Sequence, residues 1–138
     1  MQSKVKATVL LVDDDPVWSD FMVFIIKEMN MPFDVITASD GVQALEKIAE
    51  NAVDLVVTDT NMPNMNGVEF LKVARQSYAD LPIVVLFGGL MGSDIKREDI
   101  LALGATAVFG KDEIAQSGLL QLWKLAGLAQ PLSQRIHI

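Results

Sequence analysis

A single α/β domain built on a parallel sheet is the fold class this sequence predicts, and three observations predict it. Five short apolar runs, Thr8 to Val12, Val35 to Ala38, Leu55 to Thr58, Ile83 to Phe87 and Ala107 to Phe109, are rich in β-branched residues. Longer segments with helical spacing of apolar residues separate them, the alternation expected of parallel strands joined by helical crossovers. A length of 138 residues with 51% hydrophobic content is one domain's worth and enough for a sizeable core.

The first run closes on Asp13-Asp14. Asp15 then stands as N-cap with Pro16 at the first helical position, and the spacing predicts a helix burying Phe21, Phe24, Ile25 and Met29 until Asn30 and Pro32 end it. After the second strand, Asp40 and Gln43 have capping-box spacing ahead of Val42, Leu45, Ile48 and Ala49, which predicts a helix to about Asn51. The third helix is expected from about Gly67 to Tyr78, with Val68, Leu71, Val73 and Ala74 inward. The fourth begins after Ser93 or Asp94, carries Ile95, Ile100, Leu101 and Leu103, and is ended by Gly104. The last contains Leu119, Leu120, Leu122, Trp123, Leu125 and Ala126, with Ser117 or Asp112 as alternative caps. One domain over residues 1–127 is expected, followed by a tail or linker stump over 128–138 that carries Pro131 and the single histidine, His137.

Composition excludes several functions. With no cysteine there is no disulfide framework, thiolate zinc site or thiol nucleophile, which suits a reducing, cytoplasmic setting. A net charge of −7 opposes direct nucleic-acid binding, and the only basic cluster, Lys96-Arg97, is flanked by Asp94, Glu98 and Asp99 as on a solvated helix face. Neither the short N-terminal run nor the stretch Leu81 to Gly92, broken by Pro82 and three glycines, can span a membrane. Gly88-Gly89 and Gly92 precede no Gly-Lys-Ser/Thr string and read as a strand-to-helix connection.

Asp13-Asp14, Asp59 and Lys111 each follow an apolar run. In a parallel sheet the carboxyl ends of the strands share one edge, the usual ligand crevice, so three carboxylates are expected to meet one lysine. Such a cluster is costly without a cation, and oxygen ligands favour a hard ion such as Mg2+.

The stretch Val9-Leu10-Leu11-Val12-Asp13-Asp14-Asp15-Pro16 and the later Asp54-Leu55-Val56-Val57-Thr58-Asp59-Thr60-Asn61-Met62-Pro63-Asn64-Met65-Asn66-Gly67 resemble the receiver (CheY-like) domain of two-component response regulators. The similarity extends through Leu81-Pro82-Ile83-Val84-Val85 and Gly104-Ala105 to Lys111. The resemblance implies a flavodoxin-like (βα)5 fold with strand order 2-1-3-4-5. It also implies Asp59 as phosphoacceptor, Mg2+ held by Asp13, Asp14, Asp59 and the Asn61 backbone carbonyl, and Lys111 contacting the phosphoryl group. The implied partners are a histidine kinase or phosphotransfer protein and a downstream effector domain or protein.

The chain departs from that pattern in three places. Phe87 stands where receivers carry a threonine or serine hydroxyl, Val108 where they place a switch aromatic, and Asp112 where a proline follows the lysine. These departures leave a second reading open, a receiver-like domain that binds partners without phosphorylation. A third comes from Asp13-Asp14-Asp15-Pro16-Val17, which matches the opening of haloacid-dehalogenase-like phosphohydrolases, with Asp13 as nucleophile and Asp15 as acid/base. Trp18, in the first helical turn after the acids, is expected either to pack or to report on the site. Met62 and Met65 read as packing residues.

Overall fold

The computed structural model describes residues 7–30, 33–87, 95–114 and 124. Five strands, β1 (Ala7–Val12), β2 (Phe33–Ala38), β3 (Leu55–Asp59), β4 (Ile83–Phe87) and β5 (Ala107–Gly110), form one sheet in the order β2-β1-β3-β4-β5. All four pairings are parallel. The intervening helices are α1 (Pro16–Glu28), α2 (Gly41–Glu50), α3 (Gly67–Ser77) and α4 (Arg97–Ala102), and α5 (Lys111–Glu113) directly follows β5.

Alternate residues of the central strands feed two cores. Val9, Leu11, Val57, Val84 and Leu86 pack with Met22 and Ile26 of α1 and with Ile114. Leu10, Val12, Val56, Ile83 and Val85 pack with Ala44 and Ile48 of α2, with Phe70, Leu71 and Ala74 of α3, and with Ile100 of α4. Because both faces are covered, β1 and β3 read as unbroken apolar runs, each fully buried Leu or Val contributing about 1.5–3 kcal/mol.

The first three helices start where capping chemistry predicts and α4 starts later than expected, while the inward faces differ from expectation. Asp15 caps α1 by accepting from the Val17 amide at 3.0 Å, with Pro16 behind it. The buried residues of α1 are Ser19, Met22 and Ile26, with Trp18, Ile25 and Met29 half-buried. Phe21 and Phe24 are exposed, at 44% and 56%. The helix carries two apolar stripes, 18/22/25/26/29 and 17/21/24, and the sheet takes the first.

The same competition occurs in three other helices. Ala44 and Ile48 are buried in α2 while Val42 and Ala49 are exposed. In α3, Phe70 is buried and Val73 faces out, so the inward stripe is 67/70/71/74. Ile95 lies outside α4, which starts only at Arg97; Ile100 is buried, Leu101 is exposed, and Gly104 at φ +111° ends the turn as predicted. Arg75 of α3 ties that end down, donating to the carbonyls of Gly104, Tyr78 and Leu81.

α5 (Lys111–Glu113) has Asp112 inside it and not as its cap, and Ser117, the alternative cap, lies outside the described residues. The expected stripe Leu119 to Ala126, the glycines at 88, 89 and 92, and the 128–138 tail all lie outside the described residues.

Candidate functional site

Strand register sets the site. Val12 stands opposite Thr58, Asp59 opposite Leu86, and Phe87 opposite Gly110. The residues leaving β1, ending β3 and following β5 therefore share one edge, where Asp13, Asp59 and Lys111 meet. The Lys111 ammonium lies 2.7 Å from Asp13 Oδ2 and 3.4 Å from Asp59 Oδ2. Carboxylate oxygens of Asp13, Asp14 and Asp59 fall within 4.8 Å of one another. Asp13 and Asp59 are buried, whereas Asp14 is exposed, so only one of the two adjacent acids is taken into the interior.

Each side chain is held by local structure. The Asp13 amide continues the β1–β2 ladder to the Ala38 carbonyl at 3.0 Å, and its Oδ1 accepts from the Asp15 amide at 2.8 Å. Asp59 Oδ1 accepts from the Thr60 amide at 2.8 Å, which leaves Oδ2 toward Lys111. The Thr60 carbonyl in turn accepts from Gly67, and a Cβ at Gly67 would collide with the Asp59 carbonyl oxygen. The glycine is what lets the β3–α3 loop fold back so closely.

That loop is anchored from the side by residues the sequence reading had not joined. Asn64 sits at φ +65° and donates from Nδ2 to Asp40 Oδ2 at 2.7 Å, while the Gly41 amide donates to the Met65 carbonyl at 2.9 Å. Asp40 was legible as the α2 cap, and its Oδ1 does accept from Gln43. Its partner 24 residues away left no local signal. Asn61, exposed within the tethered loop, lies two residues past Asp59, and Met62 and Met65 pack against the second core as expected. A cleft of about 340 Å³ opens beside Asp13 and Asp14, lined with Ser19, Asp20, Ser39 and Gln43 among others.

Electrostatics bear the signature of a functional cluster. Burial raises Asp59 above the usual carboxylate range, the Lys111 ammonium opposes that rise, and the Asp13 carboxylate adds to it. At Lys111 burial works against the charge, yet Asp13 and Asp59 together outweigh it and the ammonium is held more firmly than usual. One cation is thus shared by two acids. Asp13 Oδ2 is buried, and among the described residues its polar neighbour is the Lys111 ammonium at 2.7 Å. Three clustered carboxylates, two of them buried and sharing a single ammonium, fit a hard divalent cation.

The positions that depart from the receiver pattern are also placed. Phe87 is half-buried at the end of β4, and Val108 is buried on the same sheet face, two residues before the Gly110 that faces Phe87. The Arg97 guanidinium lies 5.3 Å from the Phe87 ring centroid and pairs with Glu113 Oε1 at 3.2 Å. The same oxygen accepts from the Gly110 amide at 2.8 Å. That backbone bond, more than Arg97, keeps the Glu113 carboxyl below its usual range. Asp15, the acid/base required by the phosphohydrolase pattern, spends its carboxylate capping α1.

The family model for the response regulator receiver domain matches residues 9–122. The chain is 33% identical over 128 residues to the sensor protein EvgS of Escherichia coli (strain K12), an alignment covering 90% of this chain and 10% of that protein. It is 36% identical over 97 residues to the transcriptional regulatory protein CpxR of the same strain, covering 70% of this chain and 39% of CpxR. The chain thus spans only a part of these relatives. Among solved structures, the chemotaxis response regulator CheY4 of Vibrio cholerae superposes with a TM-score of 0.74 at 30% identity, over 87% of this chain and 98% of that one.

Proposed function

The chain belongs to the response regulator receiver domain family, and from that premise we propose that Asp59 accepts a phosphoryl group from a histidine kinase or phosphotransfer protein. The observation that carries this reading is the Lys111 ammonium shared between buried Asp13 and Asp59, at 2.7 and 3.4 Å. Domains of this family generally signal rather than turn over a substrate. We take residues 1–127 as the receiver unit and 128–138 as a tail or linker.

Phosphoryl transfer to a carboxylate asks a protein for positioning and charge stabilisation more than for covalent chemistry. An Asp59 oxygen forms the bond to phosphorus as the donor's P–N bond breaks and the imidazole leaves with that electron pair. The Thr60 amide fixes the Asp59 rotamer through Oδ1. Lys111 keeps its protons and compensates charge on a phosphoryl oxygen. Asp13, Asp14, Asp59 and the Asn61 carbonyl would hold Mg2+, which when bound neutralises further phosphoryl charge and keeps Asp59 ionised.

A second reading, phosphorylation-independent partner binding, is favoured by Phe87, which stands at the position of the switch hydroxyl with the Arg97 guanidinium over its ring. One experiment separates the two. Incubation with phosphoramidate and Mg2+, followed by intact mass, is expected to add one phosphoryl group, absent in Asp59→Asn. Asp13→Asn or Asp14→Asn is expected to weaken Mg2+ about tenfold, on the order of 1.4 kcal/mol. No mass increase under conditions that label an ordinary receiver would leave only the constitutive reading.

A further inference from the structure

We propose that Trp18 is a positioning residue for phosphoryl transfer, the face of its indole holding the Lys111 ammonium at Asp59. The Lys111 nitrogen lies 5.0 Å from the Trp18 ring centroid, while Asp13 and Asp59 supply its two ion pairs. A lysine side chain is a flexible four-carbon stem, so a site that needs its charge at one point needs a wall as well as counter-charges. Trp18 is such a wall. It sits in the first turn of α1, fixed by the Asp15 cap and Pro16, and its ring packs half-buried against the core containing Met22 and Ile26.

The ring differs from the acids in one respect that gives it a role. When a cation engages Asp13 and Asp59, their charge is compensated and their attraction for Lys111 falls. The quadrupole of an indole face is not neutralised in this way. With the Lys111 side chain only 22% exposed, the contact is partly desolvated, the condition under which cation–π attraction is strongest. Trp18 therefore retains the ammonium beside Asp59 through the step in which the Asp59–phosphorus bond forms and the donor's P–N bond breaks. Lys111 neither gains nor loses a proton in that step.

This role rests on the phosphoacceptor reading, and the test separates the two. The full chain and its Trp18→Phe, Trp18→Leu, Lys111→Met and Trp18→Leu/Lys111→Met variants are labelled with phosphoramidate and Mg2+, ammonia leaving with the P–N electron pair, and rates are read by intact mass. In metal-free protein, the ε-methylene protons of Lys111 are located by NMR. Trp18→Leu is expected to slow labelling about threefold to tenfold. Trp18→Phe should retain most of the rate, and Trp18→Leu should cost nothing further once Lys111 is methionine. The ε-protons should be shifted upfield in the wild type and lose that shift in Trp18→Leu. Labelling of Trp18→Leu at the wild-type rate overturns the proposal, as does an equal loss with and without Lys111, or ε-protons at ordinary positions in the wild type. A wild-type chain that takes no label overturns the phosphoacceptor reading itself, and this role with it. Labelling by the wild type with no effect of Trp18→Leu removes only the role of Trp18.

Discussion

At Asp59 three influences compete, burial raising the proton affinity, the Lys111 ammonium lowering it and the Asp13 carboxylate raising it, with a net rise. A folded state that holds a proton more tightly than the unfolded chain gains stability at low pH. That gain is complete below the ordinary carboxylate value of 3.8 and is lost as pH rises through the raised value of Asp59. At neutral pH and without metal the Asp59 charge is therefore a liability to the fold. Asp59→Asn, which keeps the shape and the Thr60 contact, is expected to raise the metal-free melting temperature at pH 7 by about 3 °C. The gap should shrink as pH is lowered toward 3.8 in parallel melting curves. An Asp59→Asn protein that melts below the wild type at pH 7 would mean that the ion pair with Lys111 outweighs burial.

Between elements, the tie from the N-terminus of α2 to the β3–α3 loop decides how well the site is formed. Asp40 is below its usual carboxylate value, first through the Asn64 amide and then through the Gln43 amide. The stability this contributes is present above the unfolded-state value and is lost as pH falls through the lowered one. Asn64→Gly keeps the φ +65° turn accessible while removing the amide, whereas Asn64→Ala also strains the backbone. Both variants should weaken Mg2+ several-fold in calorimetric titration at pH 7, because the loop carrying Asn61 loses its anchor. Asn64→Gly is expected to remain folded. Unchanged affinity in Asn64→Gly would show that Gly41 and Met65 alone fix the loop. The capping pattern of Asp40 and Gln43 predicted the helix start, but a hydrogen bond spanning 24 residues has no periodicity to betray it.

For the molecule as a whole, the question is how far phosphorylation is felt. Phe87 and Val108 exchange bulk relative to a receiver with a hydroxyl on β4 and an aromatic on β5, and both join the core that includes Ile100 of α4. Arg97 then links Phe87 to Glu113 at the start of α5. A ligand shifts a conformational equilibrium only through contacts that differ between the two states. Here the mobile hydroxyl and ring are replaced by packed apolar groups. Fluoroberyllate binding is accordingly expected to perturb amide shifts over residues 87 to 112 less than in a conventional receiver. Phe87→Thr should enlarge the response, with Val108→Tyr needed for fuller recovery. Perturbations in the wild type as large and far-reaching as in a conventional receiver would refute the altered switch.

The sequence by itself determined the order of strands and helices, the helix starts at Asp15, Asp40 and Gly67, and the meeting of Asp13, Asp59 and Lys111. Each of these follows from local chemistry or from a rule of parallel sheets, that strands end at one edge, and needs no knowledge of distant contacts. Tertiary structure alone decided which apolar stripe of α1 turned inward, leaving Phe21 and Phe24 in solvent, and why Val73 gave way to Phe70 in α3. Helices with two apolar stripes offer two nearly equal burials, and only the shape of the sheet beneath them chooses. It also decided that Asp14 stays exposed while Asp13 is buried, that Asn64 reaches Asp40, and that the Trp18 ring meets the Lys111 ammonium. Asn64 with Asp40 and Trp18 with Lys111 join loop, helix and strand-end positions that no rule of strand ends brings together, so they exist only once the backbone has closed around them.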